Sequence, residues 1–277
     1  MSRALARFIR DPAPFAAALL LLLLAAAAAL APLLWPVDAD AVGGPLLARP
    51  LTDPAHPLGT DRLGRDVLAR LLQGARVSLT VALAATTAAL GMGALVGLLA
   101  GLAGGWTGEL LMRVTDAFQT VPGFLLALAL VSVLGPTVTS VVVAIAASAW
   151  TGPARLVRAE IASLRSRDFV AAAVVLGMPR HEIALRLLLP NALPPILAYA
   201  GLTVAASILI EAALSFLGLG DPNRASWGAM IAEGRAVLVS EPWLSIVPGL
   251  TLLVTVLAVN LVGEGLTEAL APRRARS

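Results

Sequence analysis

The ionisable and amide side chains inside long apolar runs are the first candidates for chemistry in this sequence. Glu211 interrupts the apolar run 194–219, and Asn260 and Glu264 fall within the run 243–266. An ionised side chain exposed to lipid costs several kcal/mol, so Glu211 is expected to face the bundle interior, water or an arginine. Its position near the end of the run, shortly before an external loop, favours a structural hydrogen bond near the external end over a residue of a translocation path or gate. Asn260, nearer the other end of its run, is assigned to packing or to the mouth of such a path.

Catalytic and ligand-binding chemistry is poorly represented in the rest of the chain. There is no cysteine, and all 20 basic residues are arginine, so a thiolate site and the lysine of a phosphate-binding loop are both excluded. The two histidines, His56 and His181, fall in segments assigned to opposite sides of a membrane. We therefore predict no catalytic residue, no metal site and no cofactor bound by this chain. An integral membrane enzyme is the weakest of the functional alternatives.

Composition places the chain in a membrane. Of its 277 residues 58% are hydrophobic and 13% are charged, with a mean hydropathy of +0.88, whereas a soluble domain carries about 25% charged residues. We predict an all-α membrane protein with six transmembrane helices. The apolar runs that predict them cover residues 13–35, 77–104, 117–134, 137–152, 194–219 and 243–266.

Three parts follow from the order of these runs. Residues 1–35 form the N-terminus and first transmembrane helix, and residues 36–76 form an external, proline-rich segment. That segment is predicted to end in an interfacial helix that begins near Asp66, with Asp61 as an N-terminal cap. Residues 77–277 form a five-helix core.

The spacing of the glycines indicates how the helices pack, and the distribution of the arginines indicates how the chain is oriented in the membrane. Gly93, Gly97 and Gly101 recur every four residues, which is typical of closely packed membrane helices. The connections 103–116 and 153–193 and both termini carry the larger share of the 20 arginines. The positive-inside rule therefore predicts that these connections and both termini are cytoplasmic.

The cytoplasmic connection 153–193 contains a predicted elbow of two short helices. The first runs from Asp168 to Leu176 and is expected to end at Gly177, which can adopt a positive φ. Pro179 suits the first turn of the second helix. On that helix Glu182 and Arg186 form an i,i+4 pair of the favoured polarity.

An apolar stripe follows on the second helix. Ile183, Ala184, Leu187 and Leu188 share one face, and Pro190 is expected to end the helix. Such a stripe is suited to docking in the groove of a partner, or to packing against its own bundle. The pattern alone fits both.

The elbow resembles the loop by which import permeases of ATP-binding-cassette (ABC) transporters receive force from their ATPase. That loop is usually written EAA, three residues, G, nine residues, I-x-L-P, and this chain keeps the spacing with Ala171 in place of the usual glutamate. The resemblance makes docking the preferred role of the stripe. It assigns the coupling loop to Ala171, Ala172, Ala173, Gly177, Met178, Pro179, Arg180, Glu182, Leu187, Leu189 and Pro190.

Other segments are similar to the dipeptide, oligopeptide and nickel permeases of the same family. The sequence reads HPLGTDRLGRD from residue 56, SFLGLGDPNRASWG from residue 215 and NLVGEGLTEALAPR from residue 260. The resemblance implies the second (C-type) permease subunit, with a type I importer fold preceded by one extra N-terminal helix. It leaves peptides, nickel chelates and sugars open as substrates.

The resemblance also implies an assembly in a bacterial or archaeal cytoplasmic membrane. The expected partners are a second homologous permease, two ATPase subunits that hold ATP and magnesium, an external solute-binding protein and the lipid bilayer, with no nucleic acid. A secondary transporter or channel is the alternative. It would need charge pairs within the membrane, and only Glu211 lies deep in a span.

Overall fold

The computed structural model describes residues 7–270, and the regular structure of that part is helical. The helices are α1 (Pro12–Leu34), α2 (Val67–Ala103), α3 (Gly105–Gln119), α4 (Gly123–Leu134), α5 (Val138–Ala149), α6 (Thr151–Arg165), α7 (Asp168–Val175), α8 (Arg180–Glu182), α9 (Leu189–Phe216), α10 (Trp227–Arg235) and α11 (Trp243–Leu270). A π-helical segment, Ile183–Leu188, joins α8 to α9.

Six membrane spans can be formed from these helices, as predicted. Four helical stretches are individually long and apolar enough, namely α1, α2, the stretch Arg180–Phe216 and α11. The other two are bent pairs, with α3 and α4 meeting at 80° and α5 and α6 at 41°. The larger bend lies at residues 120–122, where Pro122 cannot donate a backbone hydrogen bond.

The predicted interfacial helix is not a separate element. It is the first part of α2, a continuous helix of 37 residues, so the boundary predicted at residues 76 and 77 falls inside a helix. Neither proline nor a run of turn residues separates its amphipathic start from the apolar run, so nothing ends the helix there. Its cap is Asp66, whose side chain accepts from the backbone N–H of Ala69 at 2.6 Å, and the prediction that Asp61 caps it was wrong.

The connection predicted at 103–116 is also helical. Most of it belongs to α3, which exposes Arg113 and Asp116 and buries Met112 and Thr115. An amphipathic helix of this kind exposes its charged side chains. The prediction of a loop was wrong, because it was based on these charges alone.

The glycine stripe of α2 packs against α6, which confirms the packing interpretation. A Cβ atom placed on Gly97 would lie 2.4 Å from the carbonyl oxygen of Ala154, and one on Gly93 would lie 2.6 Å from Cβ of Pro153. Glycine is therefore required for the two backbones to approach this closely.

Candidate functional sites

The first arm of the elbow is α7, and its end has the geometry predicted from Gly177. That glycine has φ +77°, and its N–H donates to the carbonyl of Val174 at 3.0 Å. The N–H of Met178 donates to the carbonyl of Ala173, also at 3.0 Å. These two bonds form a Schellman motif, which closes the helix and reverses the chain.

The second arm differs from the prediction at both ends. Pro179 is the residue before the helix begins rather than part of its first turn. Pro190 does not end the arm, because the π-helical segment continues directly into α9 with Pro190 in the first turn of that helix. Pro190 removes one backbone donor next to the π-helical segment, but the helix continues through it. The elbow is therefore continuous with a membrane-spanning helix.

The apolar stripe of the second arm is turned toward the protein's own bundle. Ile183, Ala184 and Leu188 are buried, and Leu187 is half-buried. The residues that they pack with form one core cluster, which includes Val157, Ile161, Val170, Ala173, Ala192 and Ile196. The prediction that this stripe provides the docking face was wrong, because packing against α6 and α7 already uses it.

The exposed apolar surface of the elbow lies instead at its tip. The side chains of Val175 and Leu176 are 87% and 85% exposed, and that of Val174 is 60% exposed. The sequence analysis placed these residues in the first helix of the elbow and did not identify them as an exposed surface. An exposed apolar tip of this kind on a charged loop is typical of an interaction surface.

The remaining residues of the predicted loop differ in their exposure to solvent. Glu182 and Arg186 make the predicted ion pair, with Oε1 of Glu182 2.5 Å from Nη1 of Arg186. Ala171 is exposed, and Asp168 already supplies a carboxylate in the first turn of α7. The exposed predicted residues are Ala171, Ala172, Gly177, Pro179, Arg180 and Pro190, the half-buried ones are Met178, Glu182, Leu187 and Leu189, and Ala173 is buried.

Glu211 is enclosed by hydroxyl groups near the far end of α9. Its side chain is almost completely buried, with the residue 1% exposed. Ser78 on α2 donates to Oε2 at 2.7 Å, and Ser215 donates to Oε1 at 2.8 Å. Ser226, the N-cap of α10, is a third hydrogen-bonding partner. The carboxylate therefore joins α2, α9 and the start of α10, which is a structural role compatible with a gating role.

Asn260 is not part of this enclosure. It lies half-buried on α11, one turn before Gly263, at the point where α11 crosses α9. A Cβ atom placed on Gly201 of α9 would lie 2.7 Å from Cα of Gly263, so the two helices are in close contact there. The structure thus separates the two candidate path residues into different environments.

A charge network that the sequence reading missed joins the 36–66 segment to α10. The guanidinium of Arg70, a residue only 3% exposed, donates to Asp61 Oδ2 at 2.6 Å and to both carboxylate oxygens of Glu233 at 2.5 and 3.0 Å. Arg65 donates to the same two acids at 2.7 and 2.8 Å. Two arginines and two carboxylates thus compensate one another around a buried guanidinium.

Asp61 is held in its ionised form within this network. Burial by itself would raise the pKa of Asp61, but the backbone N–H groups of Arg65 and Leu63 and the guanidinium groups of Arg65 and Arg70 outweigh it. They hold the pKa below its ordinary value of 3.8. The stability that Asp61 contributes is therefore present above that value and is lost as the pH falls through the lowered pKa.

The described helices make this a membrane protein with up to six spans, two of them bent, and an elbow that is continuous with one span. The family model described as "Binding-protein-dependent transport system inner membrane component" matches residues 93–276, and the chain belongs to that family.

Relatives and a solved structure agree with this assignment. The oligopeptide transport system permease protein OppC of Haemophilus influenzae is 37% identical over 269 residues, which cover 96% of this chain and 86% of the relative. The di/tripeptide transport system permease protein DppC of Pseudomonas aeruginosa is 42% identical over 217 residues, 78% of this chain and 72% of the relative. Inward facing structures of the MetNI methionine ABC transporter share the fold, with a TM-score of 0.61 at 16% identity over 74% of this chain and 98% of that chain.

Proposed function

We propose that this chain is the permease subunit of an ATP-driven importer of dipeptides or oligopeptides. The observation that carries the proposal is the similarity to an oligopeptide permease along 96% of the chain, elbow and N-terminal helix included. Further support comes from a di/tripeptide permease that is 42% identical.

The proposed assembly contains four kinds of partner. A second, related permease completes the translocation path, and an external solute-binding protein delivers the peptide. Two ATPase subunits hold ATP and magnesium, and this chain binds neither. The whole assembly lies in the cytoplasmic membrane, with both termini of this chain on the cytoplasmic side.

The elbow tip is the proposed contact with an ATPase subunit. Val174, Val175 and Leu176 project from α7, where a groove on a partner would cover them. A displacement of the elbow would reach the membrane by two routes. One is the packing of Leu188 against α6, and the other is the continuous helix that leads from Glu182 into α9.

A pair of matched substitutions tests the contact. Leu176→Asp places a charge on the tip, whereas Leu51→Asp places the same charge on a residue that is 89% exposed in the 36–66 segment. We expect Leu176→Asp to abolish co-purification of the ATPase and peptide uptake, and Leu51→Asp to preserve both. Normal uptake and ATPase binding in Leu176→Asp would refute the assignment of the tip.

Orientation has an independent test, because the chain contains no cysteine. In intact cells that express the permease without the ATPase, Leu51→Cys should react with a membrane-impermeant maleimide, and Val175→Cys should react only after the cells are broken. The reverse pattern would place the elbow outside the cell, where it could not meet an ATPase.

Peptide specificity is tested by uptake in cells that lack other peptide importers. The assembled transporter should take up a labelled dipeptide or oligopeptide in competition with unlabelled peptides. Uptake of a nickel chelate or a sugar without uptake of peptides would reject the peptide assignment and leave the permease assignment intact.

A further inference from the structure

A groove between the end of α1 and the third turn of α2 has features that the transport function does not use. Its volume is about 390 Å³. Trp35 and Leu72 line it with apolar surface, Arg76 supplies a cation and Asp38 supplies a carboxylate. No other ionisable residue lines this groove.

Arg76 is fixed in place by an irregularity in α1. Pro32 has no N–H, so the carbonyl of Ala28 lacks its usual helical donor. Nη2 of Arg76 donates to that carbonyl at 3.0 Å and to the carbonyl of Ala29 at 2.9 Å. Within residues 7–270 the other two guanidinium nitrogens make no hydrogen bond, and the residue is exposed, so an oriented cation faces the groove.

Asp38 also lines the groove, four residues beyond the end of α1. Its Oδ1 accepts from the backbone N–H of Asp40 at 3.0 Å, and the residue is exposed. Asp40 lies close by, because its Oδ2 is 3.4 Å from Nε2 of Gln73, a residue that also lines the groove. The carboxylate of the groove therefore comes from the segment beyond α1, and the cation comes from α2 and is bound beside the last turns of α1.

The groove lies at the level where a membrane changes from hydrocarbon to head groups. At 1.5 Å per residue, the 23 residues of α1 span about 35 Å, slightly more than a hydrocarbon core of about 30 Å. The last turn of α1 exposes Leu33 and Leu34, and Trp35 follows, as is typical of an interfacial belt. A cation beside the helix end and a carboxylate beyond it match the order of charges in a zwitterionic phospholipid, whose phosphate lies deeper than its amine.

We propose that this groove binds a phospholipid with an ethanolamine head group, its phosphate on Arg76 and its ammonium group on Asp38. Arg76 alone would accept any phosphate, but Asp38 disfavours an anionic head group that brings no cation. A choline head group carries a cation without N–H donors and so cannot donate to the carboxylate. The site requires only that α1 spans a membrane, and it goes beyond the proposed transport function.

Lipid titration of the purified, assembled transporter tests the site. Bound lipid is counted by native mass spectrometry in a phosphate-free detergent, with phosphatidylethanolamine, phosphatidylglycerol and phosphatidylcholine as probes. We expect phosphatidylethanolamine to bind about two- to fivefold more tightly than the other two, the range for a partly exposed ion pair. Inorganic phosphate is added in a separate arm and should not displace it.

Four variants separate a lipid site from a purely structural arginine. Arg76→Ala should lose lipid of all three kinds, and Arg76→Lys should retain it. Asp38→Asn should bind phosphatidylethanolamine and phosphatidylglycerol equally. Asp53→Asn is the matched control, because Asp53 makes the same turn with the N–H of Ala55 at 2.8 Å but does not line the groove.

Three outcomes would overturn the proposal. They are equal binding of the three lipids by the unmodified transporter, an unchanged preference in Asp38→Asn, and displacement of lipid by inorganic phosphate. The last result would show a simple anion site. The readout is a preference among lipids, which a merely structural loss of stability in Arg76→Ala would not reproduce.

Discussion

The crossing of α2 and α6 permits a prediction in which one substitution has opposite effects at two positions of the same helix. Gly97 and Gly91 both lie in the interior of α2. A Cβ atom on Gly97 would lie 2.4 Å from the carbonyl oxygen of Ala154 and 2.7 Å from Cβ of Val157. A Cβ atom on Gly91 would have no neighbour within 4 Å.

The magnitudes follow from these two environments. An ordinary carbon–oxygen contact needs about 1 Å more than Gly97→Ala allows, so the helices must separate, at a cost of about 1–3 kcal/mol. Gly91→Ala makes no clash and gains up to about 1 kcal/mol, because alanine favours a helix more than glycine does. The two variants should therefore differ in unfolding free energy by about 1–4 kcal/mol.

Thermal unfolding of the detergent-solubilised protein, followed by fluorescence-detected size-exclusion chromatography, measures the difference. At about 2–4 °C per kcal/mol, the melting temperatures should differ by roughly 2–16 °C, with Gly97→Ala the lower. Equal melting temperatures, or a more stable Gly97→Ala, would show that the two helices do not pack through this stripe.

Three further predictions concern the elbow, the buried glutamate and the charge network. Gly177→Ala should cost about 1–2 kcal/mol, because Gly177 has a positive φ that alanine disfavours, and it should reduce ATPase binding about five- to thirtyfold. Gly177→Asn should have a smaller effect. Equal affinities of the two variants for the ATPase in a pull-down would contradict this prediction. Glu211→Gln should retain uptake, because an amide can form hydrogen bonds with the surrounding hydroxyl groups. Glu211→Ala should impair uptake more than assembly. Normal uptake by Glu211→Ala would leave Glu211 with a structural role only. Glu233→Ala should reduce the unfolding free energy by about 1–3 kcal/mol. The loss is smaller than for a fully buried ion pair, because the side chain of Glu233 is 44% exposed and Asp61 still pairs with Arg70. An unchanged melting temperature would show that the network adds no stability.

Local signals account for most of what the sequence predicted correctly. The apolar runs required helices long enough to cross a membrane, and the structure has them. Gly177 was predictable because only its own backbone conformation and its two neighbouring turns are involved. The pair Glu182–Arg186 was predictable for the same reason, since four residues on one helix fix the distance.

The direction of the elbow's apolar stripe depended on tertiary packing and could not be predicted from its pattern. The sequence pattern that contains Ile183 and Leu188 is the same whether a partner protein or α6 covers these side chains. Val157 and Ile161 decide the question by occupying that side of the stripe. Leu176 at the tip is not part of this cluster and is 85% exposed.

The Asp61, Arg70 and Glu233 network shows a different limit of sequence reading. Glu233 lies 163 residues from Arg70, and no periodicity links two positions so far apart. Asp61 had a plausible local role as a helix cap, and Asp66 fills that role instead. The spacing of Asp61, Arg65 and Arg70 was the one available signal, and it fits an ion-pair network only when the third partner is known.

The continuous helix between the elbow and Glu211 constrains how motion at the elbow can reach the membrane. The stretch Arg180–Phe216 is one helical rod, but Pro190, Pro194 and Pro195 remove three backbone donors near its start, just after a π-helical segment. Such a segment is weak under axial load, since fewer backbone hydrogen bonds hold its turns together. By contrast, Leu188 and Ile196 are buried in the same core cluster as side chains of α6. A push on the tip is therefore better transmitted sideways into α6, and through the glycine crossing into α2, than along the rod. Because α2 also carries Ser78, this route still ends at Glu211.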